Sequence, residues 1–211
     1  MKDIGYLYFP GLNTHNSDDV VAPRLHERMM QWYWHRAGMK LEYVPVSWRS
    51  PYGEGVEIAS QKVRGMTERF GGVALIGASA GASLALNIFA ELSDENITLV
   101  TMHGRVAEGN YPRADRRSLE RAAKLDSSCP ARSFYDSVRL AERAAAGLTD
   151  EEKRRILVLK QLTDLVVPLE VMDIVGVETH RSISFGHTGG FVAHAFANRD
   201  NIRTFAEKAL R

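Results

Sequence analysis

Residues Val73–Leu92 read VALIGASAGASLALNIFAEL, and this stretch decides the fold. Its opening, Val73–Ile76, is continuously apolar, as in a strand covered on both faces of a parallel sheet. Its second half carries Leu84, Ala85, Ile88, Phe89 and Leu92 at helical spacing. Between the two lies Gly77-Ala78-Ser79-Ala80-Gly81, the pattern Gly-x-Ser-x-Gly at a strand-to-helix turn. So sharp a turn crowds the surrounding backbone, and side chains two positions away on either side must vanish. The turn lifts the Ser79 hydroxyl above the carboxyl edge of the sheet. Behind it stands a helix N-terminus with backbone N–H groups and a positive dipole end. Ser79 is a candidate nucleophile.

Working outward, five more apolar runs predict strands: Ile4–Phe9, Leu41–Trp48, Ile97–His103, Ile156–Leu162 and Ser182–Phe185. Helical stripes fall between them. Val56, Ala59, Val63, Met66 and Phe70 form one; Ile202, Phe205, Ala206 and Ala209 another. Leu25, Met29 and Trp32 form a third, with Asp18 or Asp19 placed to cap the helix start. The Trp32-Tyr33-Trp34 cluster reads as packing for that surface helix, and Pro168 suits the first turn of another. This alternation predicts a doubly wound, mostly parallel six-stranded α/β sheet with helices on both faces. Residues 104–155 break the rhythm: 52 positions separate the fourth and fifth strands, with 12 basic and 9 acidic side chains among them. Ser118–Leu125 and Asp136–Ala146 look helical, with Cys129-Pro130 between. The interval reads either as a solvated helical excursion or as a small cap, within one domain over 1–211.

Composition excludes several classes. At 211 residues the chain can bury a substantial core, and a formal charge of +1 gives no broad footprint for nucleic acid or an anionic membrane. The lone cysteine, Cys129, removes intramolecular disulfides and cysteine-based zinc clusters. No apolar run approaches the roughly 20 residues of a membrane helix. The stretch from Met1 to Pro10 is too short for a signal peptide, so a cytoplasmic location is expected. Asn13, His15, Asp18 and Asp19 read as a helix-capping loop rather than a metal site. No metal or organic cofactor is expected, and no pattern in the chain sets an oligomeric state.

A serine nucleophile needs a base, and the base needs an orienting acid. The strand Ile156–Leu162 runs into Thr163-Asp164-Leu165-Val166-Val167-Pro168, and the strand ending at Phe185 runs into Gly186-His187-Thr188-Gly189-Gly190. Asp164 and His187 therefore follow Ser79 in the chain order Ser, Asp, His, each just past a later strand. In these parts the sequence resembles the α/β-hydrolase superfamily. A further likeness is Phe9-Pro10-Gly11-Leu12 after the first strand, where the family commonly has His-Gly-x. The resemblance implies an oxyanion hole made by the backbone N–H groups of Leu12 and Ala80. Pro10 stands where the family's histidine does, and the family's two leading antiparallel strands are missing, which implies a minimal member.

The chemistry implied is acyl transfer to water from a small-molecule ester or thioester, through a Ser79–His187–Asp164 triad and an acyl-enzyme. Trp48, His103 and Arg105 at strand ends, and Phe134 and Tyr135 in the long interval, either line the substrate pocket or serve as packing. Arg105 is a candidate partner for a substrate carboxylate, and His103 a second polar pocket group. The alternatives are an acyltransferase or lyase on the same triad, or a non-catalytic ligand-binding protein. A nucleotide-binding domain is disfavoured, because no Gly-x-Gly-x-x-Gly or P-loop pattern follows any strand.

Overall fold

Six strands form one all-parallel sheet: β1 (Gly5–Phe9), β2 (Lys40–Tyr43), β3 (Val73–Ala78), β4 (Ile97–Met102), β5 (Ile156–Thr163) and β6 (Glu178–Phe185), in the order β2-β1-β3-β4-β5-β6. The structure is a computed structural model that describes residues 3–11, 25–44, 47–48, 50–109, 130–164, 166–185 and 195–210. All six strands expected from the sequence form. Those in the middle are buried along their whole length, which is why they read as continuous apolar runs.

Side-chain alternation divides the core into two layers. Leu7, Phe9, Val73, Leu75, Leu99 and Val158 face α2 (Tyr52–Phe70), α3 (Gly81–Glu91) and α4 (Pro130–Gly147). Tyr6, Tyr8, Ala74, Ile76, Val100 and Leu157 face α1 (Leu25–Arg36) and the last helix, Arg199–Ala209. The expected stripes of α2, α3 and the last helix all turn inward.

The stripe assigned to α1 does not. Leu25, Met29 and Trp32 lie on the exposed side, while Met30 and Trp34 are buried in the core. Both faces of this helix carry large apolar residues, so periodicity alone cannot choose between them. Trp34 has a reason to face inward: its indole N–H donates to the carbonyl of Ala195 at 2.8 Å. Trp32 instead lies under the Arg36 guanidinium, 5.0 Å from its ring centre.

The long interval after β4 is built differently from a surface excursion over its second part. The helix expected over Asp136–Ala146 is α4, which begins at Pro130 and has Ser133, Ser137, Val138 and Ala141 buried. It packs along α3, where Ser137 Oγ meets Ser83 Oγ at 2.8 Å and Asn87 Nδ2 donates to the Ser137 carbonyl at 2.9 Å. The helix expected over Ser118–Leu125 lies outside the described residues, as do Asp18 and Asp19. Pro168 is followed by a short 3-10 turn, Leu169–Met172, rather than a long helix.

Candidate active site

The parallel sheet delivers its candidate residues to one edge. Ser79 follows β3 directly and has φ 50°, a left-handed conformation that costs a residue with a Cβ on the order of 1 kcal/mol or more. The two glycines of the motif make room for it. A Cβ at Gly77 would lie 2.5 Å from the Ala82 Cα, and one at Gly81 would lie 2.2 Å from the Phe9 carbonyl oxygen. The Ser79 N–H donates to the Met102 carbonyl at 3.0 Å, and the Ser79 carbonyl accepts from Ala82 N at 3.1 Å as α3 begins. Ala80, the N-cap of α3, is buried beside it.

The loop after β1 closes over this turn. A Cβ added to Gly11 would stand 3.1 Å from the Ser79 Cβ and 3.5 Å from its Oγ. Phe9-Pro10-Gly11 is therefore packed against the candidate nucleophile itself. Leu12, the next residue, lies outside the described residues.

Asp164 follows β5 and is held through both carboxylate oxygens. Oδ1 accepts the N–H groups of Val166 at 2.8 Å and Val167 at 3.0 Å, and Oδ2 accepts from Gln161 Nε2. Gln161 is buried, and the sequence reading passed over it because it sits inside an apolar strand. Its signal was there: a polar side chain in a run with both faces covered must find a partner, and Asp164 is three residues on. Lys160 beside it is equally buried, bonds the Leu169 carbonyl at 2.8 Å and pairs with Asp173. It anchors the chain that leaves the Asp164 turn. β6 ends at Phe185, two residues before His187, which lies outside the described residues.

The candidate pocket residues separate. Trp48 and Phe134 meet edge to face, with centroids 5.9 Å apart, in the core layer shared with α3. Tyr135 is half-buried in α4. Arg105 is 8% exposed, and its guanidinium donates to the carbonyls of Ala107 at 3.3 Å and Glu108 at 2.7 Å, wrapping its own loop. His103 is 1% exposed and shares the left-handed conformation of Ser79, with φ 49°. A cavity of about 620 Å³, lined by Tyr6, Met39, Lys40, Asn96 and Arg203 among others, opens at the amino ends of the strands, the opposite edge from Ser79.

Among the described residues no group of three or more His, Cys, Asp or Glu side chains is arranged to hold a metal, and no helix is long and apolar enough to cross a membrane.

No family model and no curated protein sequence matches the chain. Solved structures do. The chain is similar to a structure described with LipS and LipT, two metagenome-derived lipolytic enzymes, at 14% identity and a TM-score of 0.69, covering 98% of this chain and 94% of that one. It is also similar to an esterase from Rhizomucor miehei, at 14% identity and a TM-score of 0.64 over 99% of this chain and 73% of that one. A hyperthermophilic esterase from Pyrobaculum calidifontis matches at 14% identity and a TM-score of 0.61, over 99% and 76% respectively. At such identities the likeness is one of fold.

Proposed function

We propose that this chain, which has the α/β-hydrolase fold, is a serine hydrolase of carboxylic esters or thioesters. The observation that carries the reading is the strained Ser79 at the head of α3, φ 50°, on the same sheet edge as a carboxylate fixed by two backbone N–H groups after β5. Strain at that residue, with glycines cleared on both sides, is what presenting a hydroxyl to a substrate requires.

In this mechanism His187 takes the proton from Ser79 Oγ as the oxygen attacks the acyl carbonyl. Asp164 holds the imidazole in the right tautomer and stabilises the imidazolium. The N–H groups of Leu12 and Ala80 stabilise the tetrahedral oxyanion, each worth on the order of 3 kcal/mol. His187 then protonates the leaving alcohol or thiol, and water releases the acyl group by the reverse route. The packing of Gly11 against Ser79 supports the hole, because it brings the loop that carries Leu12 to the hydroxyl. Neighbours of the same fold that are esterases and lipolytic enzymes support the ester class.

The test is fluorophosphonate labelling of the native protein, followed by a panel of nitrophenyl esters and acyl-CoA thioesters. Ser79 should carry the label, and Ser79→Ala should lower turnover of any true substrate by roughly 10⁴–10⁶. A folded protein that takes no label at Ser79 sinks the reading.

A further inference from the structure

Among the described residues only two other than glycine have positive φ, Ser79 at 50° and His103 at 49°. They are neighbours. Ala78 and Met102 are register partners on β3 and β4, so the two left-handed residues step off adjacent strand ends side by side. The turn at His103 also grips Ser79 by its backbone. Met102, just before it, accepts the Ser79 N–H at 3.0 Å, and Arg105, just after it, donates its N–H to the Ser79 carbonyl at 3.3 Å. On its other side, His103 N donates to the Leu159 carbonyl at 3.1 Å, on the strand that leads to Asp164.

Two costs oppose a histidine at this position. A Cβ is strained at this φ where glycine is not, and the imidazole is taken almost wholly out of water. Gly104 beside it has no such freedom, since a Cβ there would lie 2.0 Å from the Ala82 Cβ. Strain that a glycine would relieve persists where the side chain serves the site.

We infer that His103 is a positioning residue for Ser79: as a residue with a Cβ in the left-handed region, it holds the turn after β4 in the form that keeps both backbone groups of Ser79 bonded. The inference rests on Ser79 being the nucleophile. His103 acts through the turn and takes no part in proton transfer.

The experiment compares wild type with His103→Gly and His103→Asn. Glycine permits this φ without enforcing it, whereas asparagine, after glycine, is among the residues most at home there. His103→Gly, which also empties a buried side-chain site, should melt below wild type and, in the protein that remains folded, label at Ser79 on the order of 100-fold more slowly. With a nitrophenyl ester the loss should fall on kcat, with KM little changed. His103→Asn should recover most of the rate, to within roughly tenfold of wild type. His103→Gly labelling at the wild-type rate, or His103→Asn labelling no faster than His103→Gly, overturns the inference. If His103→Gly does not fold, His103→Asn decides alone: near-wild-type labelling supports the inference, and a 100-fold loss overturns it. A folded wild type that takes no label removes the hydrolase reading instead, so the two failures are distinct.

Discussion

The Cα of Gly81 faces the Phe9 carbonyl oxygen so closely that a Cβ would stand 2.2 Å from it, and 2.5 Å from the carbonyl oxygen of Pro10. Both obstacles are backbone atoms of the loop after β1, so neither can rotate away. The helix behind Ser79 and the loop that leads to Leu12 are thereby fitted to each other at contact distance. Gly81→Ala should cost about 3 kcal/mol in urea denaturation, at the upper end of overpacking effects, and should abolish Ser79 labelling in whatever still folds. Gly65→Ala is the control. That glycine lies on an exposed turn of α2 with nothing within 4 Å of the added carbon, so the change should stabilise by up to about 1 kcal/mol.

Asp164 has two separable tasks. Its Oδ1 builds the turn by accepting Val166 and Val167 N–H, and in the proposed mechanism its charge serves His187. Asp164→Asn keeps an oxygen for the turn but loses the charge. It should lower kcat by on the order of 10⁴ and cost about 1 kcal/mol in urea, because its Nδ2 now faces the Gln161 Nε2 donor. Asp164→Ala should lose the turn as well, at a further cost of about 1–3 kcal/mol. An Asn variant with wild-type kcat would mean that the acid of the triad is another residue.

The sheet was readable in the sequence because burial on both faces turns a strand into an uninterrupted apolar run, as in Val73–Ile76 and Ile97–Met102. The edges were less so. β2 was expected to reach Trp48 but ends at Tyr43, ahead of Pro45, which has no N–H for a ladder. β6 begins at Glu178, four residues before the expected start, because an edge strand with Glu178 and His180 turned outward carries no apolar run there. At the site, Ser79 and Asp164 stand where the motifs and strand ends put them. Gln161 and Lys160 were hidden by the apolar strand around them, and His103 by the fact that no pattern of residues announces a left-handed φ. His187 and Leu12, the proposed base and oxyanion donor, fall outside the described residues.

Burial foremost pushes the Tyr52 phenol up to about 12, against the lowering effect of its hydrogen bonds with Asn87 and Ser137. The phenol oxygen accepts from Asn87 Nδ2 at 2.5 Å, tying α2 to α3. The folded chain thus holds this proton more tightly than the unfolded chain, in which tyrosine titrates near 10. The stabilisation is fully present below pH 10 and is lost as pH rises from 10 to 12. Over that window Tyr52 should account for roughly 2 kcal/mol of lost stability, discounted for its partial exposure. Tyr52→Phe should flatten that part of the urea-midpoint profile, at a cost of about 1 kcal/mol near pH 8. Some alkaline loss should remain, because Tyr6 is also raised to about 12, chiefly by burial. Parallel profiles for wild type and Tyr52→Phe above pH 10 would contradict the assignment.

The two outer members of the Trp32-Tyr33-Trp34 cluster should respond very differently to substitution. Trp34 is wholly buried, lies edge to face with Tyr6 at 5.8 Å, and donates to Ala195 at 2.8 Å, eight residues past His187. Trp34→Phe removes ring volume and leaves a carbonyl without its donor, for an expected loss of about 2–4 kcal/mol. The same change releases the Ala195 carbonyl, eight positions after His187 in the chain, so kcat should fall further than the loss of folded protein explains. Trp32 is 60% exposed and lies against the Arg36 guanidinium. Trp32→Ala should cost no more than about 1 kcal/mol, the value of an exposed cation–π contact. Equal losses in urea for the two variants would mean that the inward face of α1 is the stripe of Leu25, Met29 and Trp32 after all.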